Sequence, residues 1–481
     1  MRESGCHRLR CIRGLDTWHK VLVACAAITA IFSLAPRTTL ARHATPFRLA
    51  VFRADVTPRL GHPLLGSLLA GAKSVDDPLW ANGLVLLGPD KPIVLVAVDW
   101  CEIRNDAYAR WQDALAEAAG TTRERVLVTS VHQHDAPIAD LTAERLLREA
   151  RVDGQIIDPE YYERTVRKVA AALTSSLSSA QRVTHIGTGQ AKVERVASNR
   201  RVEGPDGKGT FSRYSATRDA AIRDQPEGLI DPWLKAISFW NGEQPLAVIS
   251  AYATHPMSYY GAGAISSDFV GLARERRRND QPAIHQIYVS GCSGDVTAGK
   301  YNDGSPENRA RLAERMYNAM TEAMAATVRH PLAKIDFRSA RMVLPHREGT
   351  QTAEALRARL ADDKQPLFQR ALAAMGLSSR TLHPEGHEIL ISSIDFGPAQ
   401  IVLLPGESLV GYQLLAQKLR PDVFVMAVGY GECAPGYVPT NSASREGYAE
   451  SQGWCWVAPD VEGRMTEALR NALQASPAAA R

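Results

Sequence analysis

The chain alternates short apolar, β-branched runs with longer stretches in which apolar residues recur every three or four positions. The short runs are typical of buried strands, and the periodic stretches are typical of amphipathic helices. The short runs predict strands at residues 48–56, 84–87, 93–99, 126–130, 183–193, 234–240, 245–253, 286–290, 335–344, 389–395, 400–404 and 423–428. The periodic stretches predict helices at residues 106–119, 159–178, 269–278, 306–328, 407–418 and 460–473, with short helices across 352–374.

The order of these elements predicts an α/β fold: one large domain with mixed β-sheets flanked by helices. The length of 481 residues alone would allow two or three domains. No repeat, low-complexity tract or Pro/Gly/Ser-rich linker divides the sequence, however. The polar motifs that follow the strands run from His132 to Tyr437, so we expect a single domain, residues 45–481, to gather them. The Gly- and charge-rich segment 199–227 is expected to be a long loop or insertion.

The first 44 residues have the pattern of an export signal. A basic region ends at Lys20, and the 15 apolar residues 21–35 are too few for a typical membrane span. Candidate cleavage positions follow Ala41 and Ala44. We therefore predict a signal peptide at residues 1–44 and export to the periplasm or the medium. An uncleaved N-terminal anchor is the alternative.

The charge balance of the remaining chain argues against nucleic acid as a partner. The formal net charge is +4, but the leader holds seven of the 56 Lys and Arg residues and two of the 52 acidic residues. The rest of the chain is therefore close to neutral, without the strong basic excess that nucleic-acid binding requires.

Four of the seven cysteines follow the leader: Cys101, Cys292, Cys433 and Cys455. Their wide spacing matches neither a disulfide framework nor a zinc finger. A bridge between Cys433 and Cys455 and a pair of buried thiols are equally compatible with this sequence.

Histidines follow two of the predicted strands. Segment 126–137 (VLVTSVHQHDAP) ends a buried strand with His132 and His134, which point the same way if the chain stays extended. Segment 251–258 (AYATHPMS) places His255 after another strand. Such histidines bind a metal or donate hydrogen bonds, although a purely structural role is compatible with each motif taken alone.

Three further strands also end in polar motifs. Segment 287–299 (IYVSGCSGDVTAG) is a tight turn in which Ser293 or Thr297 offers a nucleophile or a hydrogen-bond donor. Segment 400–407 (QIVLLPGE) places Glu407 at a predicted helix start, where the helix dipole would also stabilise a carboxylate. Segment 428–440 (VGYGECAPGYVPT) is a tyrosine-bearing loop.

Two histidines and one carboxylate from separate strand ends fit a catalytic zinc site. Such a site usually has three protein ligands and one open position for water. The metal lowers the pKa of that water and polarises a substrate carbonyl. The residues alone therefore favour a zinc hydrolase.

Taken in order, the motifs resemble those of the neutral/alkaline non-lysosomal ceramidases. The resemblance covers nearly the whole chain after the leader. Segment 131–137 (VHQHDAP) is similar to that family's His-Thr-His-Ser-Gly-Pro motif. The other similar segments are 54–58 (ADVTP), 77–81 (DPLWA), 254–258 (THPMS) with 266–268 (SSD), 293–297 (SGDVT), 404–407 (LPGE) and 436–440 (GYVPT).

The resemblance implies one zinc ion per chain and assigns a role to each site residue. It implies that the zinc ligands are His132, His255, Glu407 and Tyr437. It implies that the catalytic residues are His134, Arg200, Thr297 and Tyr448, with Arg201 as the rival of Arg200.

Three departures from the family pattern bear on the function. Thr297 stands where the family has a serine, and its extra methyl group restricts χ1 and crowds an attack by the hydroxyl. Gln133, Asp135 and Ala136 replace Thr, Ser and Gly, so a carboxylate lies next to the site. We also expect no immunoglobulin-like extension of the kind that characterised ceramidases carry after this domain, a departure that bears on the substrate more than on the metal.

The resemblance implies an exported zinc amidohydrolase that cleaves the N-acyl bond of ceramide or a related N-acyl lipid. Its partner would be a small-molecule or lipid substrate, and a lipid substrate would bring the protein into peripheral contact with a membrane. Two alternatives stay open: a zinc hydrolase of another substrate (an N-acyl amino sugar, a peptide or an ester), and a non-catalytic metal-containing binding protein.

Overall fold

The computed structural model describes residues 46–67, 69, 71–152, 156–204 and 206–475. Their strands form three main β-sheets with helices packed on them, which confirms the predicted α/β class. The predicted leader, residues 1–44, lies outside the described residues.

The first sheet has five strands in the order β4-β3-β2-β1-β5. Only β3 and β4 pair in parallel. Strand β3 is buried along its whole length, as expected for a strand with both faces covered. The strands are β1 (Arg48–Asp55), β2 (Trp80–Leu87), β3 (Ile93–Val98), β4 (Val126–Ser130) and β5 (Gln181–Arg182).

The second sheet also has five strands, in the order β9-β8-β7-β6-β10. Here β8 and β9 form the parallel pair, and the other neighbours are antiparallel. The strands are β6 (His185–Lys192), β7 (Trp233–Asn241), β8 (Gln244–Tyr252), β9 (His285–Ser290) and β10 (Val328–Pro331).

The third sheet has four strands in the order β11-β12-β13-β14, with β13 and β14 in parallel. The strands are β11 (Asp336–Val343), β12 (Glu388–Asp395), β13 (Ala399–Leu403) and β14 (Phe424–Val428). Short two- and three-residue strands join the loops between the sheets, and one of them pairs Glu407–Ser408 with Tyr437–Val438.

Twelve helices of the described residues connect and cover these sheets. They are α1 (Asn105–Ala119), α2 (Leu141–Glu149), α3 (Pro159–Leu177), α4 (Ala220–Arg223), α5 (Asp268–Asp280), α6 (Pro306–Ala325), α7 (Ala353–Ala361), α8 (Leu367–Leu382), α9 (Val410–Leu419), α10 (Asn441–Arg445), α11 (Tyr448–Ser451) and α12 (Glu462–Leu473). Every helix in this part of the chain is too short or too polar to cross a lipid bilayer.

The three sheets repeat one topology. In each, a strand of the parallel pair is followed by a helix and then by its parallel partner: β3-α1-β4, β8-α5-β9 and β13-α9-β14. Because parallel neighbours end at the same edge of a sheet, each unit brings two carboxyl ends side by side. The loops that leave these ends carry the polar motifs.

The hydrophobic core fills the space between the sheets. One cluster joins apolar residues of all three sheets, among them Leu95, Ile249 and Met426. The opposite face of the first sheet packs on α1 and α3, and α8 packs in turn against α1 and α2. The outer face of the third sheet packs on α9 and α12. The strand ends between the sheets are therefore held by packing on several sides.

Several element boundaries differ from the predictions. Helix α9 begins at Val410 rather than at residue 407, because Glu407 and Ser408 pair with the strand Tyr437–Val438 instead. The prediction that Glu407 starts a helix, and its stabilisation by the helix dipole, is therefore wrong. Helix α6 ends at Ala325, and Val328–Pro331 forms the edge strand β10 rather than more helix.

The bridge that the sequence allowed between Cys433 and Cys455 is absent. Both side chains are buried, and no disulfide joins them. The segment 199–227 holds a short hairpin and the one-turn helix α4, and the rest of its described residues form loops as predicted.

Candidate metal centre

Three buried side chains converge from the ends of parallel strands of three different sheets. His132 follows β4, His255 follows β8 and Glu407 follows β13. One ligand atom from each lies within 4.8 Å of the others, and all three residues are buried. The two histidines and the carboxylate that the sequence predicted as metal ligands are thus brought together.

Backbone carbonyls fix the orientation of both imidazoles. The Nδ1 atom of His132 lies 2.8 Å from the carbonyl oxygen of Cys101. The Nδ1 atom of His255 lies 2.6 Å from the carbonyl oxygen of Ser293. A carbonyl only accepts, so each Nδ1 must carry the proton and donate it, which leaves a lone pair on Nε2 of the neutral ring. Metal-binding histidines are commonly held in this way.

Both Nε2 atoms face one carboxylate oxygen. The Oε2 atom of Glu407 lies 2.8 Å from Nε2 of His255 and 3.3 Å from Nε2 of His132. Nε2 of His132 is buried and has no hydrogen-bond partner within the described residues. Lone pairs this close to a carboxylate oxygen repel it unless a cation or a proton lies between them. The donor set therefore fits a divalent metal that accepts nitrogen and oxygen ligands, as zinc does.

The protonation of these groups follows from burial and from their mutual charges. Burial and the positive charge of Arg200 lower the pKa of His255 to about 3. Burial opposes ionisation of Glu407, but the neighbouring histidines outweigh it and lower the pKa of the carboxyl group below its usual value. Burial opposes protonation of His132, but the charge of Glu407 outweighs it and raises the pKa of that ring, so a proton or a metal ion is favoured between the two groups. The site therefore offers a carboxylate and the neutral imidazole of His255, and His132 would bind a metal by releasing its Nε2 proton.

Tyr437 lies beside Glu407 because the two residues face each other in a short parallel pair. Two glycines allow this close approach. Gly406 has φ +50° and Gly436 has φ +64°, and a Cβ atom on Gly406 would lie 2.4 Å from the carbonyl oxygen of Gly436. The pairing places the Tyr437 side chain on the same wall of the pocket as Glu407.

Arg200 holds the Tyr437 side chain by a hydrogen bond to its hydroxyl oxygen. Its guanidinium donates to the hydroxyl oxygen of Tyr437 at 2.8 Å and to the carbonyl oxygen of Gly294 at 2.9 Å. Arg200 is buried, whereas the Arg201 side chain is one-third exposed and pairs with Glu446. Of the two arginines that the sequence left as rivals, Arg200 is the one that reaches the site.

His134 lies at the pocket itself, between the triad and solvent. Its ring is 5.2 Å from that of His132 and 5.0 Å from that of Tyr260, measured between centroids. Burial and the nearby histidines lower its pKa well below the usual value, so the ring is neutral. Its Nδ1 atom is buried and has no hydrogen-bond partner in the described part of the chain.

Thr297 and Tyr448 lie outside the pocket, although the Tyr448 ring packs edge-on against that of Tyr437, with centroids 5.6 Å apart. The Thr297 hydroxyl donates to the carbonyl oxygen of Tyr214 at 2.8 Å, and the Tyr448 hydroxyl donates to that of Gly294 at 2.5 Å. The structure therefore brings Tyr448 against the predicted ligand Tyr437 but places neither residue in the pocket beside the triad.

The pocket that opens onto the triad has a volume of about 280 Å³. Its wall opposite the metal ligands is mainly apolar and comes from the start of α8, the loop that follows α11 and one residue near the N-terminus of the described chain. The apolar residues of this wall are Leu65, Phe368, Leu372 and Trp454, and the polar ones include Gln369 and Gln452.

Sequence reasoning missed this wall and two residues of the centre. Cys101 lines the pocket, with its sulfur 3.7 Å from Nδ1 of His132. Tyr430 stacks on the His132 ring. A signal for Tyr430 existed, since it stands between two glycines directly after a buried strand. The wall gave no such signal, because its residues have ordinary apolar types.

Comparisons with known proteins find similarity in the structure only. No family model matches the sequence, and no curated protein matches it. The solved structure of neutral ceramidase from Pseudomonas aeruginosa, by contrast, superimposes with a TM-score of 0.65. The match covers 89% of this chain and 74% of that chain, at 16% sequence identity. The chain has the neutral ceramidase fold.

A second structure, of a ceramidase complexed with C2, matches this neutral ceramidase fold equally well. Its TM-score is 0.65 at 16% identity, over 89% of this chain and 75% of that chain. The resemblance predicted from the sequence motifs is therefore confirmed for the fold.

Proposed function

We propose that this protein is a zinc-dependent amidohydrolase that cleaves the N-acyl bond of ceramide or a related N-acyl lipid. One observation carries the proposal: the buried triad of His132, His255 and Glu407 opens into a largely apolar pocket. The neutral ceramidase fold supports the same reading, since both similar structures are ceramidases by name.

His132, His255, Glu407 and Tyr437 would hold the metal ion, one per chain. Zinc bound there would supply a Lewis acid that activates water and polarises the acyl carbonyl. Burial of the ligands strengthens the interaction, because charges attract more strongly where water is excluded.

The surrounding residues would orient the amide and stabilise the charge that develops on it. His134 is neutral and lines the pocket, so its ring would offer the substrate a hydrogen bond beside the triad. Arg200 donates to the phenol oxygen of Tyr437, so its positive charge acts at the pocket through that tyrosine. Fixed donors of this kind favour the transition state because they need no reorientation during the reaction.

The apolar wall would receive the acyl chain. Phe368 and Trp454 lie nearly parallel, with ring centroids 6.3 Å apart, and Leu65 and Leu372 complete the surface. Burying methylene groups against such a wall is favourable by about 0.8 kcal/mol each. Gln369 and Gln452 would contact the polar part of the substrate.

We also propose that the protein is exported, with residues 1–44 as its signal peptide and residues 45–481 as the hydrolase domain. The basic start and the apolar segment 21–35 support this proposal. N-terminal sequencing of the protein recovered outside the cytoplasm should begin near Arg42 or Thr45. A start at Met1 in a membrane fraction would instead indicate an uncleaved anchor.

The deciding experiment is fatty-acid release from a short-chain fluorescent ceramide. Protein beginning at Thr45 is loaded with zinc and compared with a Glu407→Gln variant, which keeps the side-chain shape but loses the charged ligand. Release by the parent alone is the expected result. If zinc is bound stoichiometrically but nothing is released, the lipid assignment is wrong, and N-acyl amino sugars, peptides and esters are tested next. A parent that binds no zinc would refute the metal site.

A further inference from the structure

Tyr430 lies at the centre of the three ligand-bearing segments. It is fully buried and follows β14, which ends at Val428. Its φ of +56° is unusual for a residue with a side chain. Such a conformation is found chiefly where surrounding contacts hold it in place.

The backbone of Tyr430 joins two of these segments. Its N–H donates to the carbonyl oxygen of Gly406 at 3.0 Å, directly before Glu407. Its carbonyl oxygen accepts from the N–H of Ser130 at 3.0 Å, two residues before His132. The positive φ turns both groups toward their partners, so the loops that carry Glu407 and His132 are tied to a single residue.

The side chain of Tyr430 reaches both histidines. Its ring stacks on that of His132, with centroids 4.2 Å apart and planes at 20°. Its hydroxyl lies 2.7 Å from the hydroxyl of Ser293 and 3.5 Å from Nδ1 of His255. Ser293 in turn supplies the carbonyl oxygen that fixes the His255 ring.

We propose that Tyr430 is a positioning residue that holds His132, His255 and Glu407 in the geometry for metal binding. The inference rests on the metal site of the proposed function and adds a residue that is not itself a ligand. The stacked ring fixes the plane of His132, so that its unpartnered Nε2 faces Glu407. The hydroxyl contacts Ser293, whose carbonyl oxygen accepts from Nδ1 of His255.

The test measures how fast zinc is lost to a chromophoric chelator, a quantity that does not depend on any substrate. The variants are Tyr430→Leu and Tyr430→Asn, which both remove the ring, and Tyr430→Phe, which keeps it. Asparagine tolerates a φ near +56° better than most residues, so the backbone of that variant is expected to fold even if the leucine variant does not. Tyr162→Leu is the control, because Tyr162 is also buried and donates its hydroxyl to the backbone, but belongs to helix α3.

We expect the leucine and asparagine variants to lose zinc about tenfold faster or more, as is typical when support of a metal ligand is removed. The phenylalanine variant, which keeps the stacked ring but loses the hydroxyl, should lose zinc faster than the parent but more slowly than the ring-less variants. Tyr162→Leu should stay close to the parent once it is shown to be folded. A general loss of stability would instead accelerate zinc loss in the control as well.

The outcomes separate this inference from the proposed function. If the parent binds one zinc ion and the folded ring-less variants hold it as long as the parent does, the positioning role of Tyr430 is wrong and the metal site stands. If the parent itself binds no zinc, both the metal site and the proposed role of Tyr430 are refuted.

Discussion

At the scale of single residues, the site depends on which nitrogen of each histidine carries a proton. The carbonyl groups of Cys101 and Ser293 determine this for His132 and His255, because each accepts from Nδ1. Both Nε2 lone pairs are then directed at the same carboxylate oxygen of Glu407. Backbone atoms thus set the chemistry of the centre, and substitutions that move these loops should affect the metal as strongly as changes of the ligands.

The structure predicts that the hydroxyl of Thr297 is dispensable for catalysis. It donates to the carbonyl oxygen of Tyr214 and lies outside the pocket. A Thr297→Val variant keeps the side-chain shape, so its kcat should stay close to that of the parent. Its free energy of unfolding should fall by about 1–3 kcal/mol, because the hydroxyl's hydrogen bonds to the carbonyl oxygen of Tyr214 and from the N–H of Gly299 are both lost.

The measurement is kcat on the fluorescent ceramide together with a urea unfolding curve. Thr297→Ser, which keeps the hydroxyl, is the matched control. A valine variant that folds and binds zinc but is inactive, beside an active serine variant, would show that Thr297 acts as a nucleophile after all.

At the scale of elements, the sequence predicted the strands better than the loop pairings and the pocket wall that surround the site. Runs such as 93–99 and 126–130 were recognisable because buried parallel strands are apolar throughout. The candidate metal-binding residues His132, His255 and Glu407 were predictable for the same reason, since each follows such a run. The resemblance to ceramidases then added Tyr437 and Arg200, whose positions depend on loop pairings that no local pattern reveals.

The pocket wall was beyond sequence reasoning because it forms only through tertiary contacts. Helix α8 was predicted merely as short helical segments within 352–374, and it extends to Leu382. Its first turn meets Trp454, which lies far along the chain. Apolar residues at helical spacing look the same whether they fill a core or line a substrate site, so nothing local identified Phe368 as part of the pocket.

This wall predicts how Trp454 contributes to substrate binding. Trp454→Ala removes an aromatic face from the pocket and leaves the backbone contact between Tyr437 and residue 454 in place. The loss of buried apolar area should weaken binding of the acyl chain by about 1–2 kcal/mol, which is roughly a tenfold rise in KM. The effect on kcat should be smaller, because the metal ligands are unchanged.

The rise in KM should be larger for long acyl chains than for an acetyl group, and Trp454→Phe should restore most of the affinity. Steady-state kinetics on a series of N-acyl chain lengths gives both quantities. Equal changes for all chain lengths would show that the acyl chain does not lie against this wall.

Asp395, the last residue of β12, stabilises the antiparallel pair β11–β12, between whose strands the chain forms helices α7 and α8. Its carboxylate lies 2.8 Å from Nζ of Lys334 and 3.0 Å from a guanidinium nitrogen of Arg338, and it accepts from the N–H of Gly397. Burial opposes ionisation of Asp395, but these partners outweigh it and lower its pKa to about 2.

This pKa predicts a pH-dependent effect of Asp395→Asn. A carboxyl group whose pKa is lower in the folded state stabilises the fold above its unfolded pKa of about 4. That stabilisation is lost as the pH falls from about 4 toward about 2. At pH 7 the variant should lose about 1 kcal/mol, a value reduced for the exposure of Lys334. Urea unfolding of both proteins between about pH 3 and pH 7 should show the difference shrinking below about pH 4, and a difference independent of pH would contradict the assignment.

At the scale of the whole molecule, the three sheets repeat one topology and each contributes one member of the triad. The repeated unit has no counterpart in the sequence, which contains no recognisable repeat, because strand order and crossover are properties of the fold. Ligands that come from three sheets are far apart in the unfolded chain. A metal bound between them must therefore favour the folded state, in which alone all of them meet.

Zinc should accordingly raise the thermal stability of the folded protein. A ligand that binds only the native state stabilises it by about 2.7 kcal/mol when its concentration is about one hundred times its Kd. For a folded region of this size, that corresponds to a rise in Tm of about 3 °C. Calorimetry of the chelator-treated protein, with and without added zinc, measures the shift.

The Glu407→Gln variant supplies the control for this shift. It keeps the packing around the triad but lacks the carboxylate that both histidines face, so zinc should leave its Tm nearly unchanged. An equal shift in the parent and in this variant would mean that the stabilising metal binds elsewhere. A shift in the parent alone would show that zinc stabilises the fold through the Glu407 carboxylate. Because zinc bound there also contacts residues from the other two sheets, it would stabilise all three sheets together.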